Sequence, residues 1–227
     1  LQKLLRLEKI GDVPIHAAVM LDVSGSMEPE LEEAERAALR FFEQVLTPLD
    51  RAAVVTFADS PRLAVKFTGR MDLLAGGLAD LRAKGETTLY DSLAFTLHYF
   101  AGLAGKRALI LISDGQDSNS HLRFDDVLDY ARRSGVAIYT IGLNVPSHPP
   151  NAAVVLDRLA RETGGRSFRV DRASRLGAIY EDIEKDLRSQ YLFAYQSDSS
   201  GGDAFRRVEV SIDRPGVSVR TATGYYP

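Results

Sequence analysis

Hydrophobic positions along this chain alternate between two periods. Ile15–Leu21 is short and continuously apolar, the pattern of a strand buried on both faces. From Leu31 the apolar residues fall at helical spacing, through Ala34, Ala38, Phe41 and Phe42 to Val45, with glutamates between them. Pro29 suits a first helical turn, and Thr47-Pro48 ends the helix. Arg51–Phe57 and Arg62–Phe67 read as two more strands. The link between them, Ala58-Asp59-Ser60-Pro61, is too short for a helical crossover, so the pair is antiparallel and Pro61 belongs on an edge. The pattern then predicts helices over Met71–Arg82 and Leu89–Leu103, the latter with Leu89, Leu93, Leu97 and Phe100 inward. Strand Arg107–Ser113, helix Phe124–Arg133, strand Val136–Ile141 and helix Val154–Thr163 follow. Gly164-Gly165 closes that helix, Arg166–Val170 is a short strand, and Ser174 is the expected N-cap of a long helix ending at Arg188.

Strands alternating with helices imply an α/β fold: a doubly wound, mostly parallel central sheet with one antiparallel edge strand and helices on both faces. After Gln190 the alternation stops. Tyr191–Tyr195, Phe205–Ile212 and Val217–Thr221 are strand-like runs separated only by turn residues. Three regions result. Residues 1–12 hold a short strand, Leu4–Lys9, that can pair with the far end; residues 13–190 form the α/β domain; residues 191–227 form a small antiparallel β extension.

The 227 residues are 45% hydrophobic and 26% charged, ordinary for a globular domain. A net charge of −3 gives no general attraction to nucleic acid or to anionic membrane. With no cysteine, disulfides and thiolate metal sites are excluded. No apolar run approaches the roughly 20 residues of a membrane span. The opening Leu1-Gln2-Lys3-Leu4-Leu5-Arg6 lacks a methionine and the order of a signal peptide, as expected of a segment cut from a longer polypeptide. The isolated domain is expected to be monomeric.

Chemistry concentrates where the first buried strand ends. Asp22-Val23-Ser24-Gly25-Ser26 puts one carboxylate and two hydroxyls at alternate positions, which share a side in extended backbone. Such oxygen donors suit a hard cation, Mg²⁺ above all, with Mn²⁺ or Ca²⁺ as substitutes. Ligands of doubly wound sheets sit beyond the carboxyl ends of the strands where strand order reverses. The strand Arg107–Ser113, a natural neighbour there, is followed by Asp114. Two carboxylates on adjacent strand ends repel unless a cation or water separates them, and Thr87 is available to close the site from a third loop.

These motifs resemble the metal-ion-dependent adhesion site of von Willebrand factor type A domains: Asp22-x-Ser24-x-Ser26, the threonine of Gly85-Glu86-Thr87-Thr88, and Asp114 of Ile112-Ser113-Asp114-Gly115, in the family's order and contexts. The resemblance covers roughly residues 13 to 190. It implies a metal held by Asp22, Ser24, Ser26, Thr87 and Asp114, with Thr88 the other threonine to weigh. It also implies a protein partner that presents Glu or Asp to the metal. Further stretches, among them Thr88–Leu93, Lys106–Gly115, Thr163-Gly164-Gly165 and the closing Gly224-Tyr225-Tyr226, resemble a bacterial branch of the family well represented in acidobacteria. A secreted, periplasmic or cell-envelope location is what that branch implies. In better-studied relatives the last helix moves with the metal site; here Arg188 runs almost directly into Tyr191, which restricts that movement or passes it to the extension.

Competing readings are weaker. Aspartyl phosphatases also carry an aspartate at the end of the first strand, but need a second two residues on, where Ser24 stands. No general base, nucleophile and oxyanion hole can be assembled, so no enzyme is expected. A metal-stabilised assembly domain of a larger envelope protein is the other non-enzymatic reading. Asp114–Asn119 lacks the ligand spacing of an EF-hand, Gly102–Lys106 lacks phosphate-loop spacing, and Asp117 reads as a loop or capping residue. Of the histidines, His16 and His98 read as packed structural residues, His121 as a surface loop residue, and His148 as belonging to a stiff Pro-rich loop; no pair has zinc spacing.

Overall fold

A computed structural model describes residues 2–10, 13–146, 151–170, 176–197, 202 and 204–227. Ten strands and six helices appear among them: β1 (Leu4–Lys9), β2 (Ile15–Asp22), α1 (Leu31–Val45), β3 (Arg51–Phe57), β4 (Pro61–Thr68), α2 (Met71–Leu78), α3 (Leu89–Tyr99), β5 (Lys106–Ser113), α4 (Phe124–Ser134), β6 (Ala137–Leu143), α5 (Asn151–Glu162), β7 (Ser167–Val170), α6 (Leu176–Arg188), β8 (Tyr191–Tyr195), β9 (Arg206–Arg207) and β10 (Gly224–Tyr225). Six strands form one sheet in the order β4-β3-β2-β5-β6-β7. All neighbours are parallel except β3 and β4, so the antiparallel strand lies at the edge and begins at Pro61. An edge is where a missing N–H costs no ladder bond.

Continuous apolar runs are used because the sheet is covered on both faces. Ile15, Ala17, Val19 and Leu21 of β2 enter a core shared with α1, α2 and α6. Ala18 and Met20, on the other face, join a core shared with α3, α4 and α5. Leu89, Leu93, Leu97 and Phe100 are all buried in that second core, as their spacing predicts.

Several element boundaries differ from the sequence expectation. α2 stops at Leu78 rather than Arg82: Ala79 is extended and Asp80 takes a left-handed φ of 57°. Gly76-Gly77 weakens its last turn, and Gly77 is needed there because a Cβ would run into the Val65 side chain. α3 ends at Tyr99, with Gly102 in the left-handed region soon after. α5 begins earlier than expected, at Asn151. Ser174 lies outside the described residues. His98 is not packed but exposed, its Nδ1 3.4 Å from the Tyr130 hydroxyl.

The extension differs most. β1 pairs with β8 in a separate two-stranded antiparallel ribbon. Only Arg206–Arg207 of the run Phe205–Ile212 is in a strand, and its partner is Gly224–Tyr225 rather than Val217–Thr221. Strand propensity works by fitting side chains to a half-buried surface, and residues 211–218 are exposed throughout. The last residues instead strap the body. Thr223 donates its hydroxyl to Glu162 at 2.5 Å, Arg132 reaches the same carboxylate at 3.2 Å, Arg220 pairs with Asp186, and Arg133 lies over the Tyr226 ring at 3.5 Å.

At the opposite end of the strands from the candidate site, buried Asp50 ties three elements together. Its carboxylate accepts from the Ile15 N–H at 2.7 Å, the Thr47 N–H and hydroxyl at 2.9 and 2.7 Å, and the Arg188 guanidinium at 2.6 Å. Burial pushes the Asp50 carboxyl up, but these four donors outweigh it and hold it below the usual carboxylate range.

Candidate metal centre

Strand order reverses between β2 and β5, because the chain builds outward to β3 and β4 on one side and returns to lay β5, β6 and β7 on the other. Asp22 is the last residue of β2 and Asp114 directly follows β5. Their exposures are 0% and 5%, unusual for carboxylates at strand ends. Ser24 is extended, at φ −68° and ψ 165°, and buried. Ser26 sits in a single 3-10 turn, Gly25–Met27, that brings its Oγ to 3.3 Å from the Ser24 Oγ. Strand alternation thus accounts for Asp22 and Ser24, whereas the turn accounts for Ser26.

The Thr87 loop is bound to its neighbours through main-chain groups. Lys84 donates to the Val23 carbonyl at 2.8 Å and Gly25 to the Gly85 carbonyl at 3.2 Å, joining it to the serine loop. Thr88 donates to the Ala58 carbonyl at 2.9 Å, joining it to the end of β3. Ser118, in the loop after β5, accepts from the Thr87 N–H at 3.0 Å and donates its own N–H to the Thr87 carbonyl at 3.0 Å. Gly85 takes a left-handed φ of 81°, and a Cβ there would run into the Asp59 carboxylate, so glycine is required. Asp59 accepts the Glu86 N–H at 2.7 Å. The two threonines differ: Thr88 spends its hydroxyl on the Ala58 carbonyl at 2.8 Å, with Ser92 at 3.2 Å, whereas the Thr87 hydroxyl has no partner among the described residues.

Among the described residues, every hydrogen-bond partner of the two carboxylates is neutral. Asp22 accepts from the Ser24 N–H at 2.9 Å and from the Ser113 hydroxyl at 2.7 Å; Asp114 accepts from the Gln116 N–H at 3.0 Å and its side-chain amide at 2.8 Å. Burial pushes the Asp22 carboxyl up to about 6; the Ser113 and Ser24 hydrogen bonds pull it back, and the Asp114 charge adds to the rise. Two buried acidic groups with no basic partner among the described residues, on loops that also carry Ser24 and Ser26 and next to the loop of Thr87, are a donor set that fits a hard divalent cation. Among the described residues no three His, Cys, Asp or Glu side chains are grouped so as to hold a metal ion, so a cation here would depend on hydroxyl oxygens as well as carboxylates.

Ser113 and Ser118 are the participants that sequence reasoning missed. Ser113 was legible only as the one polar residue ending an apolar strand; Ser118 carried no signal among its polar neighbours. Asp117 caps α3 as expected, accepting from the Tyr90 N–H at 3.3 Å and from Ser120, whose hydroxyl also receives the Tyr90 and Asp91 N–H groups. His121 is a surface residue, its Nδ1 3.0 Å from Asp91. His16 packs edge-on against Phe67, ring centroids 5.5 Å apart. His148 lies outside the described residues.

Comparison with known proteins bears on the family and the fold. A family model described as the von Willebrand factor type A domain matches residues 18–182. The chain is similar to human integrin alpha-D, 28% identical over 85 residues, which are 37% of this chain and 7% of that protein. It therefore spans under a tenth of that relative. The fold is shared with the vWF domain of the type V pili tip protein Mfa5 from Porphyromonas gingivalis, at a TM-score of 0.66 and 16% identity over 77% of this chain and 95% of that one. It is shared also with the conserved hypothetical protein BatB from Bacteroides thetaiotaomicron, at a TM-score of 0.63 and 20% identity over 77% of this chain and all of the other.

Proposed function

The chain belongs to the von Willebrand factor type A family, and from that premise we propose that it is a metal-dependent protein–protein interaction module rather than an enzyme. Asp22, Ser24, Ser26, Thr87 and Asp114 would hold Mg²⁺ at the switch point of the sheet. Bound there, the ion would supply an open coordination position selective for a Glu or Asp carboxylate of a partner protein. The carrying observation is the buried Asp22–Asp114 pair, whose hydrogen-bond partners among the described residues are all neutral.

The chain's own residues divide the work. Asp22 and Asp114 supply two negative charges, which balance a divalent cation. Ser24, Ser26 and Thr87 add neutral oxygens that leave that balance unchanged. Ser113 orients Asp22, Gln116 orients Asp114, and Ser118 fixes the backbone of Thr87. Thr87 is favoured over Thr88 because, of the two, its hydroxyl is the one without a partner among the described residues. Integrin and pilus-tip relatives favour an adhesive role at a cell surface or envelope.

Calorimetric titration of Mg²⁺ into the chain and into Asp22→Ala tests the site. Binding to the parent chain and none to the variant is expected; equal affinity for both overturns the assignment. Partner capture should occur in Mg²⁺ and reverse in EDTA. A partner retained through EDTA treatment would argue for a metal-stabilised assembly domain instead.

A further inference from the structure

The β1–β8 ribbon leaves its large hydrophobic residues uncovered. Leu5, Leu7 and Tyr191 are 63%, 56% and 56% exposed, and β1 is exposed along all six residues. A lone two-stranded ribbon is marginal in water, whereas three or more strands with an apolar face are stable. Among the described residues β1 has β8 on one side and no strand on the other. An open hydrophobic edge of this kind is a template for another strand.

We propose that a second copy of this chain occupies that edge, with the two β1 strands antiparallel about a twofold axis at Leu7, giving a sheet of order β8-β1-β1-β8. Hydrogen-bond phase and charge both select this register. Ile10 donates its N–H to the Gln190 carbonyl at 2.9 Å, so its main-chain groups face β8. By the period of two, those of Glu8 face β8 as well, and those of Leu7 and Lys9 face outward. Leu7 can therefore exchange both main-chain bonds with the partner's Leu7. The same register sets Arg6 opposite the partner's Glu8, and Glu8 opposite the partner's Arg6, at the close non-hydrogen-bonded positions. Arg6 and Glu8 already attract within one chain, 2.8 Å apart. Moving the axis to Arg6 or to Glu8 would put like charges face to face. Leu7 is paired with Phe193 and Lys9 with Tyr191, so the apolar faces of the two ribbons become one. The monomer expected from sequence is revised on this exposed ribbon alone; the proposal is independent of the metal centre.

Charge reversal tests the register. Arg6→Glu makes both positions acidic, and Glu8→Arg makes both basic. By size-exclusion chromatography with light scattering, the unsubstituted chain should dimerise increasingly with concentration, and each single variant should be monomeric. An equimolar mixture of the two variants should form a heterodimer, and the double variant R6E/E8R should regain the homodimer. Leu7→Pro, which removes an outward N–H and no bond to β8, should also be monomeric with unchanged circular dichroism. A parent chain that stays monomeric at every concentration overturns the proposal. So does a dimer that both reversals leave intact, or a mixture that forms no heterodimer.

Discussion

β5 and β1 are both leucine-bearing strands of similar length, and they have opposite surroundings. In β5 every residue from Ala108 to Ile112 is fully buried, with a strand on each side and a helical layer on each face. In β1 every residue is exposed, with one neighbouring strand and no covering layer among the described residues. Strand formation needs only a pairing partner; stability comes from the apolar area removed from water. The body therefore holds the stability, while the ribbon holds hydrophobic surface that remains available.

Substitutions should separate the two regions sharply. The largest effect is expected in the body at Asp50→Ala, which leaves Arg188, Thr47 and the Ile15 N–H without their acceptor: about 3–5 kcal/mol of stability, read from the urea midpoint. The same carboxyl should give the body an acid limb. Its pKa is depressed by folding, so its contribution is complete above the unfolded value and is lost as pH falls through the folded one. The Asp50→Ala variant should show a flatter stability profile below about pH 4. Next, Ile110→Ala in β5 should cost about 2–5 kcal/mol, from lost burial and the cavity left behind. Thr223→Ala, which removes the strap's hydroxyl bond to the Glu162 carboxylate, should cost about 1 kcal/mol and hasten proteolysis of residues 205–227 while the body stays intact. Smallest of all, Leu7→Ala should change the stability of the dilute chain by no more than about 0.5 kcal/mol. A cost at Leu7 equal to that at Ile110 would erase the distinction between the two strands.

The same distinction explains what the sequence could reveal. Buried strands must be apolar on both faces, so β2, β3 and β5 stand out, and an aspartate ending such a run is conspicuous. Asp22 and Asp114 were legible for that reason. Ser26 was legible as a residue but not in its geometry, because its position depends on a 3-10 turn rather than on strand alternation. Ser113 and Ser118 act through hydrogen bonds across 91 and 31 residues of sequence, and local pattern carries no trace of such pairs. Over residues 208–212 and 217–221 propensity suggested strands that burial does not support. Ala79 and Asp80 ended α2 early through backbone conformations that helical periodicity cannot register.

The antiparallel pairing of β1 with β8 has a mechanical consequence. Leu4 lies opposite Tyr195 and Lys9 opposite Tyr191, and it is the Lys9–Tyr191 end that runs on to β2 and from α6, so tension applied through residues preceding Leu4 runs lengthwise along β1. Its hydrogen bonds to β8 are then loaded together, in shear, instead of breaking in succession as the teeth of a zipper open. The ribbon would pass such a pull on to β2 rather than peel from Leu4. β2 ends at Asp22, so the ribbon is a stiff lead from the first residues of the chain into the strand that carries one corner of the switch point.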